Sequence, residues 1–386
     1  MGWVSVRHRR FSGGCRWDEP GLLVPFADYI VREGHTMKRL AICMVVVTML
    51  LSMSIAFAQE GAQGTSWSDR ISMSGYFQVR YIDTDSSTES DNFDLRRAYF
   101  TLKGDLDTRT TGIITFSRVG PGDPNIDLYN CFVDYRLGER YAIQAGQVPT
   151  WFGLEAWESS SVRLPFERAK ILEGGPGFWF AGASDRGVWL RRNPQGDEPL
   201  VVLGVWNGQF RSDDMNDDKN ISLDVKFNRE WGQFGASWFD GTFVQTPAGG
   251  PAVEADRNAV DVYVRKFADP WGFQAEWADG EMFGADRDGW YAQAMYDLQD
   301  GKNVAFARWE EFNAEPHATA VTQSGTTAPS AEYTGFTIGV RHKVYESGYI
   351  TIQYTDGDWD RTGTVDGQSG NNSEDLLGIQ WQYSYR

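Results

Sequence analysis

From residue 71 to the C-terminus the chain runs in short segments in which apolar and polar residues alternate one by one. In ISLDVKFN (221–228), Ile221, Leu223, Val225 and Phe227 fall on one side and Ser222, Asp224, Lys226 and Asn228 on the other. NAVDVYVRKF (258–267) sets Val260, Val262 and Val264 against Asp261, Tyr263 and Arg265. ISMSGYFQVRY (71–81) opposes Ile71, Met73, Phe77 and Val79 to Ser72, Ser74, Gln78 and Arg80. The last segment, DLLGIQWQYSYR, puts Leu377, Ile379, Trp381, Tyr383 and Tyr385 on one face, with small and polar residues opposite. A period of two belongs to strands with unlike faces. Further segments start near 93, 111, 126, 141, 187, 200, 232, 271, 289, 303, 333 and 349, making about sixteen strands and an all-β chain.

The connections alternate in length. RLGER (136–140), NREWGQ (228–233), ADPWG (268–272), DLQDG (297–301) and VYESG (344–348) are short. The stretches 82–92, 207–220, 241–257, 313–332 and 356–375 are long, polar and rich in Gly, Ser and Asp. Short turns on one rim and long loops on the other are the anatomy of a transmembrane antiparallel β-barrel, with periplasmic turns and extracellular loops. No apolar run after residue 58 approaches the ~20 residues of a spanning helix. A chain crossing a membrane without such a helix must close its sheet, because only helices and barrels satisfy their backbone in lipid. A soluble β-sandwich, propeller or solenoid also alternates, but the chain has no fixed-period repeat, and a sandwich does not require alternating connection lengths.

The compartment is read from the N-terminal part. MKRLAICMVVVTMLLSMSIAFAQE begins at Met37, with Lys38 and Arg39 before an apolar core and AFA at 56–58. This is the layout of a secretory signal peptide at 37–58, cut before Gln59. The alternative, an anchoring helix, fits less well because no basic flank follows. Residues 1–36 carry Arg7, Arg9, Arg10 and Arg16 upstream of that leader and read as a mis-assigned extension. The expected domain is then a barrel over 59–386 in a bacterial outer membrane, in contact with lipid and lipopolysaccharide. Of the three cysteines only Cys131 lies in it, so no internal disulfide is expected.

Composition removes two further classes. Aromatic residues make up 14%, which disordered chains lack, and the net charge of −17 has the wrong sign for a nucleic-acid partner. An enzyme is not expected: beyond residue 58 the histidines are His317 and His342, and no G-x-S-x-G, H-E-x-x-H or C-x-x-C occurs there. No cofactor or metal is called for, since RSDDMNDDKN (211–220) lacks the spacing of a calcium loop.

One connection differs from the rest. Between the strand ending near Val148 and the one starting near Gly187, Pro149, Pro165 and Pro176 forbid a continuous strand. Trp151, Phe152, Leu154, Trp157, Phe166, Phe178, Trp179 and Phe180 make it too apolar for a solvated loop. Folding inward at about 149–185 would bury these side chains and narrow a pore.

Several blocks in order resemble the phosphate-selective porins O and P. FDLRRAYFTLKGDLD (93–107) is similar to that family's paired-arginine strand, and GQVPTWFGLE (146–155) to its Gly-Gln, Pro, Phe-Gly, Glu block. PFERA (165–169) followed by SDRGVWL (184–190) resembles the Glu-Arg and Asp-Arg-Gly-Val pair around its third loop. The resemblance implies a sixteen-stranded barrel, a homotrimer, an inward-folded third loop and passive diffusion of anions. The chain departs from the phosphate-binding members, which cluster lysines in that loop. Here Arg163, Arg168 and Lys170 face Glu155, Glu158, Glu167 and Glu173, and a phosphate filter is not evident.

The expected function is therefore a water-filled channel for passive diffusion of small hydrophilic solutes or ions, anions included. The candidate pore-lining and constriction residues are Arg80, Arg97, Lys103, Arg163, Arg168, Lys170, Lys226 and Arg265. Mixed charge on the polar faces, with Asp224, Asp261 and Glu276 among them, fits a general pore. The alternative is a surface barrel whose acidic loops bind a cation, a glycan or a partner.

Overall fold

In a computed structural model, residues 70–385 are described except 85–91, 121–124, 174–177, 179–183, 246–251, 283–284, 299–300, 315–329, 363, 366–367 and 370–371. The readings of residues 1–69, extension, leader and cleavage point alike, lie outside the described residues.

Among the described residues, sixteen strands of seven residues or more form one antiparallel barrel. The first eight are β1 (Ile71–Thr84), β2 (Asn92–Asp105), β3 (Thr110–Val119), β4 (Asp127–Arg136), β5 (Tyr141–Pro149), β6 (Ser184–Arg192), β7 (Leu200–Trp206) and β8 (Asn220–Arg229). The second eight are β9 (Gly232–Gln245), β10 (Val253–Lys266), β11 (Trp271–Met282), β12 (Ala285–Asp297), β13 (Asn303–Ala314), β14 (Ser330–Tyr345), β15 (Gly348–Thr362) and β16 (Leu376–Tyr385). Each pairs with its neighbours in sequence, and β16 returns to β1 from Gly75↔Tyr385 to Thr84↔Leu376. The terminal strand thus closes the barrel and leaves no edge.

The faces follow the alternation. On β10 Val262 is 48% exposed and Asp261 is fully buried; on β8 Leu223 faces outward while Asp224 is buried. The segment NVAFARWEE (303–311) lies in β13, where Phe306, Arg308, Glu310 and Phe312 point inward and Trp309 outward. Outward aromatic residues at the short-turn rim include Trp231 and Trp271, where amphipathic rings suit the membrane interface.

Two differences from the sequence reading concern the long-loop rim. The ladder between β9 and β10 continues to Val253↔Gln245, so that connection shrinks to 246–252. β11 and β12 pair out to Met282↔Ala285, and only two residues join them. In both places cross-strand pairing prolongs strands through polar sequence beyond the apolar band.

Candidate functional site

The segment after β5 is held by side chains that project inward from the wall. Gly153 N–H donates to Ser237 Oγ of β9 at 2.9 Å, and the N–H groups of Leu154 and Glu155 donate to Glu276 of β11 at 2.5 and 3.1 Å. Further along, Lys170 N–H donates to Glu310 of β13 at 2.6 Å and Phe166 N–H to Gln353 of β15 at 2.9 Å. The wall donates in return. Gln78 of β1 bonds Ser160 O at 3.0 Å, Gln382 of β16 bonds Ser161 O at 2.7 Å, and Arg341 of β14 bonds the carbonyls of Val162, Arg163 and Leu164. A loop with no ladder of its own must find partners for its buried backbone groups. Here inward polar side chains from strands on several sides supply them, and the segment crosses the interior.

Apolar packing completes the seat. Trp151 and Trp157 stack with centroids 3.5 Å apart, and Phe152 meets Phe239 of β9 edge-on at 5.5 Å. A 3-10 turn, Lys170–Leu172, buries Ile171 and Leu172 in a cluster that also holds Tyr291, Phe312 and Tyr333.

Charge is arranged around Glu167. Its carboxylate accepts from Arg80 Nη1 at 2.9 Å, from Arg96 Nε at 2.6 Å and Nη2 at 2.9 Å, and from Arg97. Burial disfavours its charge, but Arg96, Arg97 and Arg80 outweigh that and hold the carboxyl well below the usual range. Both arginines of the pair reach it because β2 bulges: Gln78 pairs with Arg97 and Val79 with Leu95, leaving Arg96 between. The extra residue breaks the period of two and turns Arg96 inward.

The candidate residues divide. Arg80 and Arg97 meet at Glu167, and Arg265 pairs with Glu158 of the loop at 2.9 Å. Arg168 donates to the carbonyls of Glu155, Ala156 and Glu158, and Lys170 pairs with Glu173 and Glu374 at 3.1 and 3.0 Å. Arg163 is buried, with Nη2 on Ser160 Oγ at 2.6 Å. Lys226 is half-buried on β8. Lys103 stands apart: it is exposed near the end of β2, opposite Ser72, away from the loop. Arg96, Arg308 and Arg341 were missed. For Arg96 the signal was present, since strict alternation would place one of two adjacent arginines against lipid at about 2–4 kcal/mol near the midplane. A bulge is the inexpensive alternative. Arg308, on β13, pairs with Glu155; in NVAFARWEE apolar and polar residues do not alternate cleanly enough to assign its face.

Two cavities flank the loop. One, about 220 Å³, is bordered by Arg80, Arg96, Glu167, Trp359 and Glu374 towards the long-loop rim. The other, about 960 Å³, is bordered by Ser74, Tyr99, Ser160, Arg341 and Tyr385 towards the short-turn rim. Arg168 borders both. Among the described residues no group of three or more His, Cys, Asp or Glu side chains could hold a metal ion.

Comparison with known proteins agrees with this architecture. Residues 71–385 match the family described as phosphate-selective porin O and P. No curated protein matches the chain in sequence. Among solved structures, a loop L8 deletion mutant of OmpT, an outer membrane protein of Vibrio cholerae, is similar at a TM-score of 0.57 and 14% identity, over 82% of this chain and 99% of that one. The anion-selective porin from Comamonas acidovorans gives 0.57 and 12%, over 82% and 99%. In-vitro folded Vibrio cholerae OmpT in its trimer form gives 0.54 and 11%, again over 82% and 99%. At such identities the structures speak for the fold, a porin barrel. With the family match over most of its length, the chain belongs to the phosphate-selective porin O and P family and is a bacterial outer-membrane channel for passive diffusion of solutes.

Proposed function

We propose that this channel is a general diffusion pore with a preference for small anions, its narrowest point lying where the 150–173 segment crosses the interior. The carrying observation is the charge around the cavity on the long-loop side. Six cationic side chains border it, Arg80, Arg96, Arg168, Lys170, Arg308 and Arg361, against the four carboxylates Glu167, Glu173, Glu310 and Glu374. An excess of fixed positive charge where water is scarce favours anions and opposes cations. Arg168, bordering both cavities, is the residue a permeating ion would pass. Arg80, Arg97, Arg163, Lys170 and Arg265 act with it, through the loop they hold, whereas Lys103 and Lys226 contribute only to the field of the wall. Phosphate would pass as one anion among others, because the three inward arginines already hold a carboxylate of the loop.

We propose also a homotrimer, by analogy with the trimeric form of the Vibrio cholerae protein, its remaining outer surface facing lipid and lipopolysaccharide. A channel rather than an enzyme is what the family supports; His342, on β14, is exposed, its ring nitrogen 2.8 Å from Asn303 Oδ1. The test is the reversal potential of reconstituted channels in a potassium chloride gradient. The expected sign is that of chloride preference, reduced in Arg168→Ala. A cation-preferring wild type would overturn the proposal.

A further inference from the structure

Beneath the first turn of the loop the wall gathers more carboxyl groups than it has cations to pair. Asp224 of β8, Asp261 of β10 and Glu276 of β11 are all buried there, and Glu155 comes down from the loop. Three of the four have evident partners. Glu155 pairs with Arg308 and accepts from Ala169 N–H at 2.7 Å. Asp224 accepts from Ser237 Oγ at 2.7 Å. Glu276 accepts from the N–H groups of Leu154 and Glu155 and from Tyr291 Oη at 2.8 Å. Asp261 is fully buried, and among the described residues neither of its oxygens has a donor. It lies directly under Gly153. A Cβ added there would stand 3.4 Å from Asp261 Oδ2 and 2.6 Å from Glu276 Oε1.

The surrounding charged and titratable groups do not neutralise it. Arg265 is engaged with Glu158 and Gln274, and Arg308 with Glu155. Lys226 lies along β8 from Asp224, and the hydroxyl of Tyr263 has no hydrogen-bond partner among the described residues. Two neighbouring buried carboxyl groups without a cation between them cannot both ionise. Donors favour the charged form, and Glu276 and Asp224 have them. The acid is then the carboxyl with no donor, Asp261, which flanks the same point under Gly153 as Glu276 does.

We infer that Asp261 carries a proton that it donates to Glu276, so that the pair is one anion shaped to receive the N–H groups of Leu154 and Glu155. Asp261 is a positioning residue: it seats the first turn of the loop without touching the solute. The inference rests on the loop being the constriction only for its effect on current. Loss of the proton would set like charges together under Gly153, so seating weakens as pH rises.

Infrared spectra of the folded wild-type barrel at neutral pH should contain the C=O band of a buried carboxylic acid, and Asp261→Asn should lack it. In single-channel records the wild type should become noisier and more conductive as pH is raised into the alkaline range. Asp261→Asn, neutral and still a donor to Glu276, should match the wild type at neutral pH and stay flat above it. A wild type without the acid band, a variant that keeps it, or a variant that follows the wild-type pH step would each overturn the inference. If the variant does not fold, the wild-type spectrum alone decides: a pH-sensitive acid band that vanishes at alkaline pH supports the shared proton, and no such band refutes it. An acid band lost in the variant, with currents indifferent to pH, would keep the proton and remove the loop from the constriction.

Discussion

Glu167 is the counter-ion through which the loop controls the arginine row. In Glu167→Gln the shape is kept and one negative charge is removed from a position touching Arg80, Arg96 and Arg97. For an ion passing about 8 Å away, a unit charge in water contributes about 0.5 kcal/mol. The change stabilises an anion and destabilises a cation by that amount, so the ratio of their permeabilities shifts by about 1 kcal/mol, or about fivefold. Screening cuts the effect as the Debye length falls from about 10 Å at 0.1 M salt to about 3 Å at 1 M. The assay is the reversal potential across a planar bilayer under a chloride gradient, repeated at several mean salt concentrations. Chloride preference should rise about fivefold at the lowest salt and converge on the wild type at the highest. Folded Glu167→Gln channels with the wild-type reversal potential at every concentration would show that no ion passes near Glu167, and the arginine row would lose its role.

Other outcomes can be checked on the same preparations. Val262→Arg places a charge on the lipid face and should cost about 2–4 kcal/mol near the midplane, read as a lowered urea midpoint for folding into vesicles, while Val262→Leu should be neutral. Gly153 has φ +67°, and an added Cβ would sit 2.6 Å from Glu276 Oε1. Gly153→Ala should therefore cost at least about 1 kcal/mol of local strain and give larger, noisier single-channel currents; unaltered records would mean that this turn does not govern the pore. We propose that the leader at 37–58 is removed, so intact mass and N-terminal sequencing of membrane-extracted protein should return Gln59; residues from 1–36 would refute both the cleavage and the start at Met37.

The barrel was legible because its determinants are local. Lipid imposes an apolar side and the interior a polar one, so parity along ISLDVKFN or NAVDVYVRKF fixes the facing of β8 and β10 before any partner is known. Connection lengths supplied the rims in the same way. Parity fails where the backbone departs from the regular ladder. The bulge at Arg96 depends on how β1 and β2 register, and a cross-strand property leaves only an indirect trace in the sequence of β2.

The interior was legible in composition but not in role, and the reason is the loop. Asp261 and Glu310 share inward parity with Arg80, and alternation alone makes each a pore-lining residue. Once the 150–173 segment crosses the barrel, the same wall acquires two kinds of inward position. Arg80 borders an open cavity. Asp261 is sealed under Gly153, where its business is with loop backbone rather than with solutes. An arginine at 261, which parity alone would recommend as a harmless change of selectivity, would instead have to displace Gly153 and bring a long side chain against Glu276. Selectivity should therefore be sought among inward residues that the loop leaves uncovered, and seating among those it covers. Glu310 tests the division from both sides, because it borders the cavity and also accepts from Lys170 N–H at 2.6 Å. Glu310→Gln should shift reversal potential towards anions in the same direction as Glu167→Gln. Glu310→Ala, which removes the acceptor as well, should add the current noise of an unseated loop. Noise in the Gln variant equal to that in the Ala variant would mean that charge, not the hydrogen bond, holds the turn at Lys170.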